Sequence, residues 1–192
     1  MTQRVRVGSV GRDGGAAIGY RRERMRRAAS AASTTASRYG GGMASAHFRA
    51  GVVIVVRHPD LHRIMAFERM DSPGSWQLPQ GGLKAGEDPV AGAWRELEEE
   101  TGLAEAHVVA RAAFPDWVAY EWPDEVVAAK AGVNNRIGQV QKWFLFDVVD
   151  AAIEPTPDGH EFRAWQWVEP AWLIAHVPEW RRAAYERVLS TL

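Results

Sequence analysis

The sequence predicts an α+β domain in which a mixed β-sheet carries helices on both sides. A β-branched run over 51–56 is typical of a buried strand. Between Asp88 and Gly102, apolar residues recur with helical spacing between a capping residue and a terminating glycine. The remaining expected strands do not alternate strictly with helices, and several follow one another like hairpins, which argues against a purely parallel sheet.

The predicted domain begins near His47, and its elements can be justified in chain order. The run over 51–56 and the strand after it are separated by a turn at 58–60, which indicates a hairpin. Prolines stand at the starts of the last two helices, where a missing N–H costs nothing. In order, we expect strands at 51–56, 63–68, 105–114, 117–122, 140–149 and 162–168, and helices at 89–101, 170–176 and 178–189.

Two further segments connect these elements. Trp76–Pro79 leads out of a turn and into the long helix region. The segment 123–138 is polar, and we expect it to be an irregular excursion before a central strand.

The composition fits one globular domain, because 46% of the 192 residues are apolar. The chain has no cysteine, which excludes disulfides and thiolate metal sites and makes the cytoplasm the expected compartment. No apolar run reaches the roughly 18 residues that a membrane-spanning helix needs, so no membrane partner is expected. For the oligomeric state we favour a monomer.

The helix between Asp88 and Gly102 has two chemically different sides. Placing residues about 100° apart puts an apolar set on one face, where it should pack on the core: Val90, Ala93, Trp94, Leu97 and Thr101. Glu96, Glu99 and Glu100 gather on the other side, whereas Glu98 points away as an ordinary surface residue. Arg95 lies one turn before Glu99 and is placed to pair with it.

Three carboxylates at this spacing repel one another unless a cation lies among them. Hard oxygen ligands on a rigid helix suit Mg²⁺ or Mn²⁺, with substrate phosphate oxygens completing the coordination shell. The alternative is a solvated acidic face, which would be preferred for a bare run of glutamates. The residues that flank the run, Gly81, Glu87, Arg95 and Gly102, favour the metal site.

The stretch 81–103 places nine residues at fixed spacing: Gly81, Glu87, Arg95, Glu96, Leu97, Glu99, Glu100, Gly102 and Leu103. This pattern resembles the signature of the Nudix hydrolases, with every defined position filled. The resemblance implies an α/β/α sandwich with a catalytic loop-helix-loop, metal ligation by the three glutamates, and metal-dependent hydrolysis of a nucleoside-linked polyphosphate. A non-catalytic nucleotide-binding or regulatory domain is a lesser alternative. Loss of the glutamates would indicate it, and here all of them are present.

Flanking segments narrow the resemblance to the bacterial RNA pyrophosphohydrolases and the similar dinucleoside tetraphosphate hydrolases. It covers about residues 47–190 and is carried, in order, by the segments 76–82, 116–123, 138–144, 161–168 and 180–182. The two subfamilies are not separated by these segments. The resemblance therefore implies release of pyrophosphate from the 5′-triphosphate end of RNA, or hydrolysis of diadenosine tetraphosphate as the alternative.

The same resemblance implies roles outside the helix. Glu161 matches a glutamate that assists the metal or activates the water, with a plain charge at a strand end as the alternative. Phosphate contacts are implied for Arg49, Lys142 and Arg181, and base stacking for Tyr120 and Trp180. The two arginines could instead be surface residues, and the two aromatics could be core residues. Lys142 lies inside an apolar strand, where a buried charge needs a reason.

Acidic residues follow the segment around Tyr120, where the best-known RNA pyrophosphohydrolases are more basic. Glu121, Asp124 and Glu125 would repel an RNA backbone, unless the enzyme grips only the first nucleotide or two. They also fit a small dinucleoside polyphosphate.

The first 46 residues differ from the rest in charge and composition. They are rich in Arg, Gly, Ala and Ser and carry a net charge of about +7, against about −8 for the remainder. Such a segment cannot bury enough apolar surface to offset its ordering cost, so we expect a disordered extension. Four interpretations stay open: a mis-assigned start with Met43 as the true one, a functionless tail, an arm that holds nucleic acid, and a targeting leader.

Overall fold

The computed structural model describes residues 47–129 and 136–192, which form seven strands and four helices. The expectations made for residues 1–46 lie outside the described residues. The strands are β1 (His47–Arg57), β2 (Ile64–Arg69), β3 (Trp76–Gln77), β4 (Gln80–Gly82), β5 (Val108–Glu121), β6 (Arg136–Val148) and β7 (Phe162–Val168). The helices are α1 (Pro89–Thr101), α2 (Asp124–Ala129), α3 (Pro170–His176) and α4 (Glu179–Leu189).

The sheet is mixed, as the sequence predicts. Its strand order is β3-β2-β1-β6-β5, with β4 paired to β1 and β7 paired to β2. The central pair β1–β6 is parallel over its whole length, whereas the other pairs are antiparallel. β1 and β2 meet at a single aligned pair, Arg57 and Ile64, so the predicted hairpin is a short contact and not a ladder.

Two hydrophobic cores lie on opposite faces of the sheet, because side chains alternate along each strand. On one face, Val52 and Ile54 of β1 pack with Val90 and Leu97 of α1. On the other face, Val53 and Val55 belong to the core that includes α3 and α4 residues such as Tyr185. The arrangement is an α/β/α sandwich, which confirms the predicted fold class.

Two element predictions were wrong. The strands expected at 105–114 and 117–122 are one strand, β5, because its pairing with β6 continues across two irregularities, one of them between Ala113 and Trp117. The excursion expected to be irregular contains the short helix α2, whose first turn carries Asp124 and Glu125 at the end that favours negative charge. Within the described residues, no helix is both long and apolar enough to cross a membrane.

Candidate active site

The chemistry of helix α1 depends on how the helix begins and ends. The Asp88 carboxylate accepts hydrogen bonds from the N–H groups of Val90 and Ala91, at 2.8 and 3.3 Å, as a helix N-cap. Gly102 ends the helix with φ of 69°, a left-handed conformation that glycine adopts at little cost. Both ends therefore form as the sequence predicts, and they fix which side of the helix the glutamates occupy.

Arg95 holds the loop before α1 against the helix. Its Nε and NH2 atoms donate to the two oxygens of Glu87, each at 2.8 Å, and NH2 also donates to the Gly82 carbonyl at 3.1 Å. Its NH1 atom donates to Glu96 at 2.6 Å and to Glu99 at 3.0 Å. The Arg95 guanidinium beside Glu87 lowers the pKa of that carboxyl to about 2. One guanidinium thus arranges three carboxylates and a turn of backbone.

Glu96 and Glu100 are buried on the side of α1 that faces the β4 backbone. A Cβ atom at Gly81 would lie 1.9 Å from the Glu96 carboxyl carbon, so only glycine fits there. The Gln80 N–H donates to Glu100 at 2.8 Å. Burial raises the pKa of Glu96, with Arg95 opposing the change. Burial also raises the pKa of Glu100, and the neighbouring Glu161 charge raises it further.

Glu161 reaches this cluster from the loop before β7. It accepts hydrogen bonds from Arg69 NH1 at 2.9 Å and from Gln77 Nε2 at 3.2 Å. Its backbone is held by Asp158, whose carboxylate accepts from the Glu161 N–H, and by the Met70 N–H, which donates to the Glu161 carbonyl. The structure therefore brings together a glutamate that lies 61 residues from Glu100 in sequence and the predicted cluster on the helix.

The donor set has the hard oxygen ligands that suit a divalent cation, namely two buried carboxylates and Glu161, with Arg95 paired to Glu96 and Arg69 paired to Glu161. Arg95 forms ion pairs with both Glu96 and Glu99 in this structure. The Glu99 side chain is 56% exposed. Within the part of the chain that the structure describes, no three carboxylate or imidazole groups are arranged to hold a metal ion.

A cavity of about 520 Å³ opens beside the carboxylates and joins them to basic and aromatic side chains. Its charged lining includes Glu96, Glu100, Glu161, Arg49, Arg69 and Arg181. Trp122 and Trp180 contribute aromatic surface, and Val126 of α2 contributes apolar surface. A cavity with carboxylates at one end and with arginines and tryptophans along its walls can bind the phosphates and a base of a nucleotide.

The two predicted phosphate-binding arginines do line the cavity. The Arg181 guanidinium is 8% exposed, donates from NH1 to Gln77 Oε1 at 2.5 Å, and lies 4.6 Å from the centre of the Trp180 ring. Arg49 lies against Gly82, where a Cβ atom would come within 2.3 Å of its NH2 atom.

Tyr120 lies behind the cavity wall instead of in it. Its ring contacts Trp180 at a centroid distance of 5.4 Å, and its hydroxyl donates to Gln139 at 2.9 Å. Burial raises the pKa of Tyr120 to about 12. Of the two aromatics predicted to stack on a base, only Trp180 reaches the cavity, and Tyr120 supports it from behind.

Lys142 is not placed as predicted. Its side chain is fully buried, and Nζ donates to the Pro115 carbonyl in the irregular part of β5, at 2.7 Å. Burial lowers the pKa of Lys142. Alternation along β6 explains the error: Gln139, which lines the cavity, and Lys142 differ by an odd number of positions and point to opposite faces of the sheet. Lys142 therefore contacts the β5 irregularity and does not line the cavity, which does not support its predicted role at phosphate.

Several cavity residues were not predicted, and a glutamine set is the largest of them. Gln77 and Gln80 flank Leu78-Pro79, and Gln139 lies in β6 two positions before the buried Gln141, which does not itself line the cavity. Polar amides inside a buried strand need hydrogen-bond partners, so this spacing was a usable signal. Arg69 and Trp122, by contrast, carry no local pattern that distinguishes them.

Comparison with known proteins places this arrangement in a family. An RNA pyrophosphohydrolase of Rhodospirillum rubrum is 40% identical over 132 residues, which cover 68% of this chain and 78% of that protein. An RNA pyrophosphohydrolase of Cereibacter sphaeroides is 40% identical over 144 residues, covering 73% and 86%. A solved structure, the E. coli dihydroneopterin triphosphate pyrophosphohydrolase, shares the fold, with a TM-score of 0.60 at 19% identity over 77% of this chain and 100% of that chain. Residues 47–190 match the NUDIX domain model, and the chain therefore belongs to the Nudix hydrolase family.

Proposed function

We propose that this enzyme removes pyrophosphate from the 5′-triphosphate end of RNA. Water adds at the phosphate that stays on the RNA, the anhydride bond breaks, and the products are pyrophosphate and a 5′-monophosphate end. The observation that carries the proposal is one cavity that joins the carboxylates of α1 and Glu161 to Arg49, Arg181 and Trp180. The two relatives that are 40% identical support it, because both are RNA pyrophosphohydrolases.

The carboxylates have a distinct part in this proposal. Nudix hydrolases generally need divalent metal ions, and we assign Mg²⁺ or Mn²⁺ to Glu96, Glu99, Glu100 and Glu161. When bound, such an ion neutralises phosphate oxygens and lowers the pKa of water. Glu99 would be available to such an ion on giving up its contact with Arg95, which costs little because this carboxylate is exposed. Arg95 keeps Glu87 and the loop in place meanwhile.

The remaining residues orient the substrate and the water. Arg49 and Arg181 hold phosphate oxygens, and Trp180 offers its ring to the first base. Glu161 is the carboxylate that holds or deprotonates the attacking water, because Arg69 and Gln77 fix it at the edge of the cavity. Positioning and electrostatics supply the rate, as expected for transfer to water at a phosphorus atom.

A dinucleoside tetraphosphate is the second candidate substrate, and one observation favours it. Glu121, Asp124 and Glu125 are exposed beside Trp122 and Val126, so negative charge rims the cavity where a longer RNA would leave it. A small dinucleoside substrate would avoid that rim.

The test is a side-by-side measurement of kcat/KM for a short 5′-triphosphorylated RNA and for diadenosine tetraphosphate, with chromatographic identification of the products. We expect the RNA to have the higher kcat/KM and to release pyrophosphate. A ratio of RNA to dinucleoside well below one would make the small molecule the substrate and would show that the acidic rim excludes RNA.

The domain boundary and the compartment stay predictions. We propose that residues 47–192 are a monomeric catalytic unit that works in the cytoplasm and that does not need residues 1–46 for its stability or its chemistry. A chain that starts at Met43 should then keep the melting temperature and the rate on diadenosine tetraphosphate of the full chain. A fall of several degrees would show that the extension packs on the domain. If truncation lowered only the rate on RNA, and the loss shrank at high salt, the removed segment would be a basic arm that holds RNA.

A further inference from the structure

Gln77 lies at the centre of the cavity wall, between the two groups that the proposed function uses most. It belongs to β3, which pairs with β2, and it is 1% exposed. Its Oε1 atom accepts from Arg181 NH1 at 2.5 Å, and its Nε2 atom donates to Glu161 at 3.2 Å. Arg69, which also donates to Glu161, has its NH1 atom 3.5 Å from the Gln77 oxygen.

An amide is the side-chain group suited to this place. It accepts and donates at the same time, whereas a carboxylate only accepts and a guanidinium only donates. The neutral Gln77 amide therefore satisfies a cation on one side and an anion on the other. Without it, the Arg181 guanidinium would be free to pair with a nearby carboxylate, and both groups would be lost to the substrate and the metal.

Arg181 is buried, and side-chain amides supply a large part of the contacts of its guanidinium. Its Nε atom has no hydrogen-bond partner among the described residues. Gln80 is the second neighbour: with its amide oxygen turned toward Arg181, it accepts from NH1 at 2.5 Å and from NH2 at 3.1 Å. The guanidinium thus contacts two amide oxygens, the Trp180 ring and the Tyr185 hydroxyl, and Arg181 also lines the cavity.

We propose that Gln77 is a positioning residue that sets the geometry of Glu161 and Arg181 together, and so couples the metal end of the cavity to the substrate end. The inference rests on the proposed function for the roles of those two residues. Groups that orient ligating carboxylates in this way typically contribute about 10–100-fold to metal affinity or activity.

Gln77→Met tests the proposal, because it keeps the shape of the side chain and removes both hydrogen bonds. We expect kcat to fall and KM to rise, with kcat/KM lower by about 10–100-fold. Without substrate, Mn²⁺ binding followed by electron paramagnetic resonance should weaken by about tenfold at least. Gln166→Met is the matched control, since Gln166 is a half-buried glutamine of β7 that does not line the cavity. It should leave the rate and Mn²⁺ binding as in the wild type.

Double-mutant cycles separate positioning from general destabilisation. If Gln77 acts through Glu161 and Arg181, the losses of Gln77→Met and Glu161→Gln should not multiply, nor should those of Gln77→Met and Arg181→Ala. Fully multiplicative losses in both cycles would overturn the proposal. Rates and Mn²⁺ affinity equal to those of the Gln166→Met control would overturn it as well.

A second variant covers the case in which Gln77→Met does not fold. Gln77→Asn keeps the amide but shortens its reach, so we expect the same losses at a melting temperature near that of the wild type. Wild-type rates in a folded Gln77→Asn protein would contradict the proposal. Failure of the proposed function would appear differently, as a wild type that does not process RNA. The cycles would then be run on diadenosine tetraphosphate, and Mn²⁺ binding needs no substrate.

Discussion

The two ends of the cavity are built in different ways. Most of the metal end comes from one continuous segment, 81–103, in which Arg95 joins a loop to a helix with local caps, and Glu161 is added from the loop before β7. The substrate end collects Gln77 from β3, Gln139 from β6, Trp122 from the end of β5 and Arg181 from α4. The difference teaches that the helix glutamates depend mainly on local order, whereas Glu161 and the substrate end depend on the sheet being assembled.

The largest expected effect is at the metal end. Glu99→Gln should lower kcat by about 10²-fold or more, the scale of losing one strong electrostatic contributor. Glu99 is exposed, and its side-chain ion pair within the described residues is with Arg95. The melting temperature of Glu99→Gln should therefore equal that of the wild type. Glu98→Gln is the matched control, since Glu98 is exposed on the adjacent position and points away. A near-normal rate for Glu99→Gln at saturating Mg²⁺ would remove Glu99 from the metal site.

At the substrate end the expected loss is smaller and of another kind. Stacking of a base on an aromatic ring is worth roughly 1–3 kcal/mol, so Trp180→Ala should lower kcat/KM by about five- to a hundred-fold. The dependence on Mg²⁺ concentration should not change, because the ring contacts of Trp180 within the described residues are with Arg181 and Tyr120. Arg181→Ala should also lower kcat/KM, by an amount that shrinks as salt rises. A shifted Mg²⁺ dependence for Trp180→Ala would show that the two ends are not separable.

The same difference explains how much the sequence could predict. The caps of α1 and the contacts of Arg95 are local, so helical spacing alone predicts that Glu96 and Glu100 lie on one side of the helix. Glu161 could be named only by resemblance, because its place beside Glu100 depends on the pairing of β7 with β2. The sequence shows that Lys142 is a charged residue in a strand, but it does not show which face of the sheet the side chain points to. The predicted phosphate contact therefore differs from the observed contact with Pro115.

The glutamines were missed for a related reason. A buried amide is uncommon but has no fixed spacing to its partner, and Gln77 lies 104 residues from Arg181 in sequence. The fold class was easier, because alternation and capping are local and the two cores follow from them. The irregularities of β5 and the short helix α2 escaped prediction because tertiary pairing decides them.

The third prediction concerns the stability of the metal end and its dependence on pH. Glu87 accepts from Arg95 and from the Lys84 N–H at 2.8 Å, so Glu87→Gln should lower the free energy of unfolding by about 1.5–3 kcal/mol. Arg95 lowers the pKa of Glu87 from 4.5 to about 2 in the folded state. This contribution is therefore complete above the unfolded pKa of 4.5 and is lost as pH falls toward about 2.

Urea unfolding of the wild type and of Glu87→Gln at pH 7, 5 and 3 measures this directly. The difference between the two proteins should be equal at pH 7 and 5 and clearly smaller at pH 3. Titration of the other carboxylates cancels in the difference, because both proteins contain them. A difference that does not change between pH 7 and pH 3 would show that the charge of Glu87 does not hold the loop.

The smallest expected effect tests the boundary of the substrate end. Lys142 is fully buried and donates to Pro115, so Lys142→Met removes a buried charge while filling the same space. We expect kcat/KM and its dependence on salt to match the wild type, and the melting temperature to be equal or higher. Arg49→Ala is the comparison, because it removes a cation that does line the cavity. It should lower kcat/KM by an amount that shrinks as salt rises. If Lys142→Met instead raised KM by an amount that shrank at high salt, the lysine would reach phosphate, and the alternation of β6 would not decide which side chains meet the substrate.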